Sequence, residues 1–410
     1  MYNKNRLSKQ QFIPIILGAS IGVYSTARSF HEAYGVNSIS ICRHLTGQIN
    51  HSNIIEPLVE SRMEDEDTFF QCLQRITDDF PNNLKIIIGS DEWHVEMIVK
   101  LKGALDKSWI IPYTDNEKLQ KVIDKTNFYK LCDELDVDYP KYISLKSNQL
   151  LDNDLPFSFP IVIKPTSRVI YESLRFNGKK KVFIAQNRHE LDEIITLLRK
   201  AGYHENLVIQ EYVPGDDTAM HILTLYIAQD GQTKLAAFGQ TLLEDHTPGG
   251  IGNPVAIRTF QNDEVVKQAE KLVKHVGYVG FANFDLKYDQ RDGKYKFFEL
   301  NPRLGRSNFY ITATGHNPTE FYIDEYLNQK KLSYTIVKKE VLYSIVPKKL
   351  LLNYIREAEL KGRIRKLYSK RLVKNPLFYF SVEKNIKRLF YIFASTFNYY
   401  RKFKKYPPHS

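Results

Sequence analysis

The stretch Gly280-Phe281-Ala282-Asn283-Phe284-Asp285-Leu286-Lys287, with Phe297-Phe298-Glu299-Leu300-Asn301-Pro302-Arg303 after it, decides how the chain reads. Both runs are apolar enough for strands, and alternate residues of a strand face one side. Glu299 and Asn301 therefore share a face. Between the runs, Tyr288-Asp289-Gln290-Arg291-Asp292-Gly293 is hairpin-turn chemistry, so the strands are expected to be antiparallel neighbours. Asp285, ending the first strand, would then join Glu299 and Asn301 as three oxygen ligands. Oxygen-only sites with one or two carboxylates suit Mg²⁺, which keeps waters and also binds substrate phosphates. Arg303, next on the same face, offers a planar fork for phosphate or carboxylate. Singly these are ordinary surface charges; four on one face of apolar strands point to a site.

A phosphate site also needs cations, and no GxxxxGK[ST] loop is present. Lys164 follows the β-branched run Ile161-Val162-Ile163 and precedes Pro165, so it emerges where a sheet ends. Lys125 lies in a helical stretch read as Glu117–Leu135. Either lysine alone is as readily a surface residue. Gln210-Glu211-Tyr212-Val213-Pro214-Gly215 closes a strand; its backbone can read an adenine edge, with Glu211 accepting the amino hydrogen. A plain strand end with a turn fits these residues too. Ser/His/Asp and Cys/His nucleophile patterns are absent from the sequence. His31, His94 and His246 have no matching Cys/His spacing, so a structural metal is not expected.

Upstream, residues 12–118 alternate short apolar runs with helical patterns. Ile13–Leu17, Ser38–Cys42 and Leu84–Gly89 read as strands; Ser25–Tyr34, Asp67–Phe80 and Glu92–Leu105 read as helices. That alternation implies a parallel α/β sheet. The turn Gly18-Ala19-Ser20-Ile21-Gly22 lacks the GxGxxG spacing, so a tight strand-to-helix turn is the better reading. Three consecutive lysines, Lys179 to Lys181, follow the Lys164 strand, and strands predominate from Met220 to Pro302 around a helix at Asp263–Val276.

The 410 residues carry 58 Lys and Arg against 47 Asp and Glu, a net +11. That charge is not spread evenly. Residues 335–410 hold 19 basic and 4 acidic side chains, a net of +15, which leaves 1–334 at −4. Apolar content of 43% with 26% charged residues excludes a disordered chain. Three dispersed cysteines (Cys42, Cys72, Cys132) give neither a disulfide framework nor a zinc site, and point to the cytoplasm. The longest uncharged apolar-aromatic stretch, Leu389–Tyr400, is shorter than the ~20 residues of a spanning helix. Fourteen Phe and Tyr are interleaved with the tail's cations. Three readings of the tail follow, in order of preference. It is a membrane-surface element, strongest over 375–406, or a helical extension packed on the acidic body, or, last, a nucleic-acid binder.

Lys125, Lys164-Pro165, Glu211-Tyr212-Val213 and Asp285…Glu299-x-Asn301-x-Arg303, in that order, resemble the ATP-grasp superfamily over about residues 12–330. The resemblance implies an α/β chain, α+β in its ATP-binding part. A Rossmann-like domain (1–116) would precede a small ATP-grasp subdomain (117–213), a metal-bearing subdomain (214–334) and a basic extension (335–410). It also implies ATP and Mg²⁺, with two ions. Lys125 and Lys164 would hold phosphates, and Glu211 and the Val213 backbone would hold adenine. Asp217 would hold the ribose, and Asp285, Glu299 and Asn301 the metal. Arg303 would stabilise the reacting phosphoryl or acyl group, with Lys164 assisting catalysis. The implied reaction is ATP-dependent ligation of a carboxylate to an amine through an acyl phosphate.

A narrower likeness is to the bacterial peptidoglycan D-aspartate ligases. It is carried by Phe12-Ile13-Pro14-Ile15-Ile16-Leu17-Gly18, Ala27-Arg28-Ser29-Phe30-His31-Glu32, Pro156-Phe157-Ser158-Phe159-Pro160 and Pro214-Gly215-Asp216-Asp217. Leu242-Leu243-Glu244-Asp245, the 280–285 run and Arg303-Leu304-Gly305-Arg306-Ser307 complete it. Such enzymes join the β-carboxylate of D-aspartate to the lysine side-chain amine of a cell-wall stem peptide, at the inner face of the membrane. Arg306, Arg258 and Arg28 are then candidates for the donor's second carboxylate. The loop 245–253, with Gly249 and Gly250, is either an anion cradle or simply a loop. Another amino acid, a capsule or teichoic acceptor, or a basic binding protein with an inert nucleotide site are the competing readings.

Overall fold

The computed structural model describes residues 2–146, 149, 151, 154–180 and 182–408; Lys181 lies outside them. Strands β1 (Phe12–Leu17), β2 (Ser38–Cys42), β3 (Ile55–Val59), β4 (Leu84–Ile88) and β5 (Trp109–Ile110) form a parallel sheet in the order β3-β2-β1-β4-β5. Central β1 is buried along its whole length, as an uninterrupted apolar run requires. Strand β3 escapes the sequence pattern because Glu56 and Pro57 interrupt it, which an edge strand tolerates. The strand order reverses between β1 and β4. The loops leaving their carboxyl ends, carrying Ser20 and Ser90, therefore open a crevice there.

The helix expected over 117–135 is two helices, Asn116–Ile123 and Lys125–Glu134. Asp124 divides them. Its extended backbone stops the first helix, and its side chain caps the second by accepting from the Asn127 N–H at 2.8 Å. Lys125 thereby becomes the first residue of a helix rather than a mid-helix residue.

Strands β6 (Tyr142–Leu145), β7 (Ile161–Pro165), β8 (Phe183–Ala185) and β9 (Leu207–Glu211) make an antiparallel sheet in the order β6-β9-β7-β8. It packs on the Arg188–Lys200 helix through Ile161, Ile163, Leu191 and Leu198. The largest sheet contains β10 (Met220–Ile227), β11 (Thr233–Glu244), β12 (Pro254–Thr259), β13 (Gly280–Asp289) and β14 (Lys294–Asn301). It also takes in β15 (Thr335–Ile336), β16 (Leu342–Ser344) and β17 (Val373–Lys374). The chain beyond 334 is thus stitched into the body, with β16 antiparallel to β12 and β17 parallel to β16.

The Ile386–Lys405 helix completes the extension and packs one face on the body. Arg388, 1% exposed, donates to the Gln48 carbonyl at 2.7 Å and sits 4.2 Å from the centre of the Tyr24 ring. Glu383, just before the helix, accepts from Ser52 Oγ and the Asn53 N–H. Gly47 lies flush against Tyr391: a Cβ there would stand 2.0 Å from the ring. Packing as an extension is therefore observed for this face. Among the described residues no helix is long and apolar enough to cross a membrane, and the three cysteines are buried and unpaired.

Candidate active site

A cavity of about 900 Å³ opens where the β1–β4 crevice, the four-stranded sheet and the β13–β14 hairpin meet. The hairpin expectation holds: β13 and β14 are antiparallel, with Asp285 opposite Glu299 and Asn283 opposite Asn301. Directly opposed side chains share a face about 5 Å apart. Asp285 lies midway along β13, not at its end, and a register shift beside it leaves Phe298 unpaired on β14. Asn301 Nδ2 donates to Asp285 Oδ2 at 3.2 Å, and Arg303 Nη2 donates to Asn301 Oδ1 at 3.1 Å. Burial, then the neighbouring Glu299 charge, pushes the Asp285 carboxyl well above the usual carboxylate range. Two close, half-buried carboxylates repel unless a cation sits between them. With the Asn301 amide oxygen they form a hard oxygen donor set that fits Mg²⁺. Among the described residues no group of three His, Cys, Asp or Glu could hold a metal ion, and in the proposed set the third donor is the Asn301 amide.

Both sequence-selected lysines reach this cavity. Lys125 Nζ lies 3.2 Å from Glu299 Oε2. Burial works against its charge, but Glu299 and Glu92 outweigh that and hold its pKa raised. Lys164 Nζ donates to Gln210 Oε1 at 3.3 Å and stands 5.1 Å from the centre of the Phe298 ring. Lys179, Lys180 and Arg306 line the same space.

Glu211 behaves differently. Its carboxylate accepts from the Lys141 N–H at 2.9 Å and from Arg291 Nη2 at 3.1 Å, and Tyr212 and Val213 line the cavity in its stead. Asp217 also turns away, accepting from the Glu244 N–H at 2.8 Å and pairing with His246. Gly249 lines the cavity, whereas Gly250 is folded back on Asp245, whose carboxyl carbon would lie 2.5 Å from a Cβ. A side chain at 250 would have to displace the Asp245 and Thr247 side chains.

Two of the three donor-site arginines are elsewhere. Arg28 is bonded to the Pro376 and Phe378 carbonyls and to Glu32, and packs against Phe309 and Phe380. Arg258 pairs with Glu340 at 2.8 Å and Gln240 at 2.9 Å. Each has its guanidinium committed to the fold, and neither lines the cavity. Conversely, Lys287 and Glu244 line it without having been singled out. Lys287 stands two residues after Asp285 in the same strand, and that spacing was a usable signal.

Residues 255–317 match the family described as "Carbamoyl-phosphate synthase L chain, ATP binding domain". Over 98% of both chains, the protein is 34% identical to a D-aspartate ligase of Enterococcus faecium (strain Aus0004). The chain belongs to the D-aspartate ligase family of ATP-grasp enzymes. Two solved structures share its architecture. An L-amino acid ligase from Bacillus licheniformis matches with a TM-score of 0.53 and 17% identity, covering 75% of this chain and 72% of that one. N5-carboxyaminoimidazole synthetase from Staphylococcus aureus matches with a TM-score of 0.59 and 14% identity, covering 82% of each. The protein is therefore an ATP-dependent carboxylate–amine ligase of mixed α/β architecture. Such a ligase uses ATP, and Mg²⁺ is typical of its family. Phosphoryl transfer asks for positioning and charge neutralisation more than for a side-chain nucleophile, and this cavity concentrates cations and hard oxygens.

Proposed function

We propose that this ligase activates the β-carboxylate of D-aspartate and joins it to the lysine side-chain amine of a peptidoglycan stem-peptide precursor. The observation that carries the reading is the meeting of Lys125, Lys164 and Arg303 with Asp285, Glu299 and Asn301 in one cavity. The donor's identity is supported by the name of the enterococcal relative.

In this reading a carboxylate oxygen of the donor attacks the γ-phosphorus of ATP, and ADP leaves. The acceptor amine then attacks the acyl carbon; inorganic phosphate departs and the nitrogen loses a proton, leaving an amide. Lys125 and Lys164 hold the phosphates. The main chain at Tyr212 and Val213 takes the adenine edge, since the Glu211 carboxylate is engaged elsewhere. Asp285, Glu299 and Asn301 would hold Mg²⁺, as two ions, which neutralises phosphate oxygens when bound. Arg303 faces the transferring group. Arg306, beside Ser20 and Ser90, takes the donor's α-carboxylate with Gly249 near it. In this reading the chain divides into units at 116, 213 and 334.

The test is ADP release from ATP and D-aspartate, dependent on a lysine-containing stem peptide, with amide formation followed by mass spectrometry. Turnover with L-aspartate or glycine and none with D-aspartate overturns the donor assignment. We also propose that residues 375–406 associate with an anionic membrane surface, at the cytoplasmic face where such precursors are assembled. Support comes from the tail's net positive charge and its interleaved aromatics.

A further inference from the structure

The outer face of the Ile386–Lys405 helix is unlike the rest of the surface. Ile386, Phe390, Phe393 and Phe397 recur at helical spacing and are 81%, 75%, 54% and 64% exposed, with Leu389 and Tyr400 beside them. At 3.6 residues per turn they form one stripe along the helix. Tyr379, almost wholly exposed, adjoins Phe378, whose ring meets Phe393 at 5.4 Å. Exposed Lys387, Arg401, Lys404 and Lys405 accompany the stripe, and no Asp or Glu follows Glu383 in the sequence. Aromatic side chains bordered only by cations are complementary to an anionic lipid interface.

The inner face of the same helix reaches a loop that lines the cavity. Lys402 Nζ is 3.0 Å from Asp245 Oδ2. Asp245 also accepts from the Thr247 N–H and hydroxyl, and its own N–H closes the loop on the Asn253 carbonyl. That loop lines the cavity through Pro248, Gly249, Ile251, Gly252 and Asn253. One helix therefore carries the exposed stripe on one side and grips the cavity loop near its carboxyl end.

We propose that this helix couples docking on an anionic bilayer to ordering of the 245–253 loop, through the Lys402–Asp245 ion pair. The inference rests on the surface association proposed above and adds a regulatory consequence to it. Helix ends open more readily than helix centres; here the last turn is held by buried Phe403 and by the Lys402–Asp245 pair. A bilayer that binds the fully formed helix better than the frayed one shifts the population toward the state in which Lys402 meets Asp245. Couplings of this kind are typically about 5-fold or more.

The experiment uses the full chain, phosphatidylglycerol–phosphatidylcholine vesicles and two readouts. One is co-sedimentation with vesicles. The other is hydrogen exchange over residues 245–253, which needs no substrate and so stands apart from the donor assignment. Expected for the wild type are co-sedimentation that weakens with salt and exchange of the loop slowed about 5-fold by vesicles. Phe390→Ser combined with Phe393→Ser and Phe397→Ser should remain folded and stop sedimenting. Lys402→Met should still sediment, with exchange no longer responding to vesicles. Failure of the wild type to sediment overturns both the surface reading and the coupling. Sedimentation without slower exchange overturns the coupling alone, as does a vesicle response that survives Lys402→Met. A wild-type dimer that becomes monomeric in the triple variant, or RNA displacing the vesicles, assigns the stripe to another occupant and overturns the proposal.

Discussion

Lys125 Nζ sits 3.2 Å from Glu299 Oε2, so the Lys125–Glu134 helix is tied by charge to the strand that carries the proposed metal ligands. The pair joins two groups that the reaction needs for different purposes. In the proposed function, ATP and its cation would bring charges of both signs between them and exchange one partner for another. Lys125→Met should therefore raise the KM for ATP by about 10-fold or more, the worth of one hydrogen bond to a charged group. Glu299→Gln should lower kcat further. Loss of an outer partner of a metal already costs about 10–100-fold, so removal of a ligand should exceed about 100-fold. Steady-state ADP release as a function of ATP separates the two effects. Turnover by Glu299→Gln at the wild-type rate would show that the hairpin is not the metal site.

How much of this was legible in the sequence depends on how local each signal was. The face shared by Glu299 and Asn301, and the hairpin to Asp285, follow from strand periodicity and turn residues. The capping role of Asp124 was not legible. It lies inside an apparently continuous helical pattern, yet its cap divides that pattern and sets Lys125 at a helix start. The partners of Glu211, Asp217, Arg28 and Arg258 were not legible, for one common reason. Each is claimed by a partner distant in sequence, such as Arg291 for Glu211 or Pro376 for Arg28, and no periodicity reveals such a partner. The tail gave its composition but not its two faces, because strands β15 to β17 are too short to leave a pattern.

Arg306 and Arg28 give a paired test of the donor site. Arg306 lines the cavity, whereas Arg28 holds the Pro376 and Phe378 carbonyls. Arg306→Gln should raise the KM for the amino-acid donor by about 10-fold or more, since a charged pair to a carboxylate is lost. Arg28→Gln should leave that KM within about twofold and instead lower the melting temperature, because two carbonyls lose their donor. A donor KM that responds to Arg28 and not to Arg306 would reverse the assignment.

His246 makes the loop sensitive to pH. Burial opposes its charge, but the bond to Asp217 at 2.8 Å outweighs that and raises its pKa above the ordinary 6.5. A group whose folded pKa is raised contributes stability that is complete below its unfolded value and disappears as pH climbs through the folded one. The stability difference between wild type and His246→Gln should therefore be larger at pH 6 than at pH 9. Urea midpoints at the two pH values measure it. A difference that stays constant would mean that the imidazole is neutral in the folded protein.

Arg388 and Gly47 anchor the C-terminal helix from opposite sides of one contact. Arg388 is 1% exposed, bonded to the Gln48 carbonyl, stacked on Tyr24 and 3.5 Å from Glu383. Removing one member of a buried charge pair leaves the other uncompensated, at a cost of about 3 kcal/mol. Gly47→Ala acts differently, by forcing a Cβ into the Tyr391 ring one helical turn from Arg388. Arg388→Met and Gly47→Ala should each lower the melting temperature. Because both loosen the same helix from the same 46–53 segment, the double variant should lose less than the two separate losses together. Fully additive losses would mean that the helix is held independently at the two points, with Gly47 acting through the loop alone.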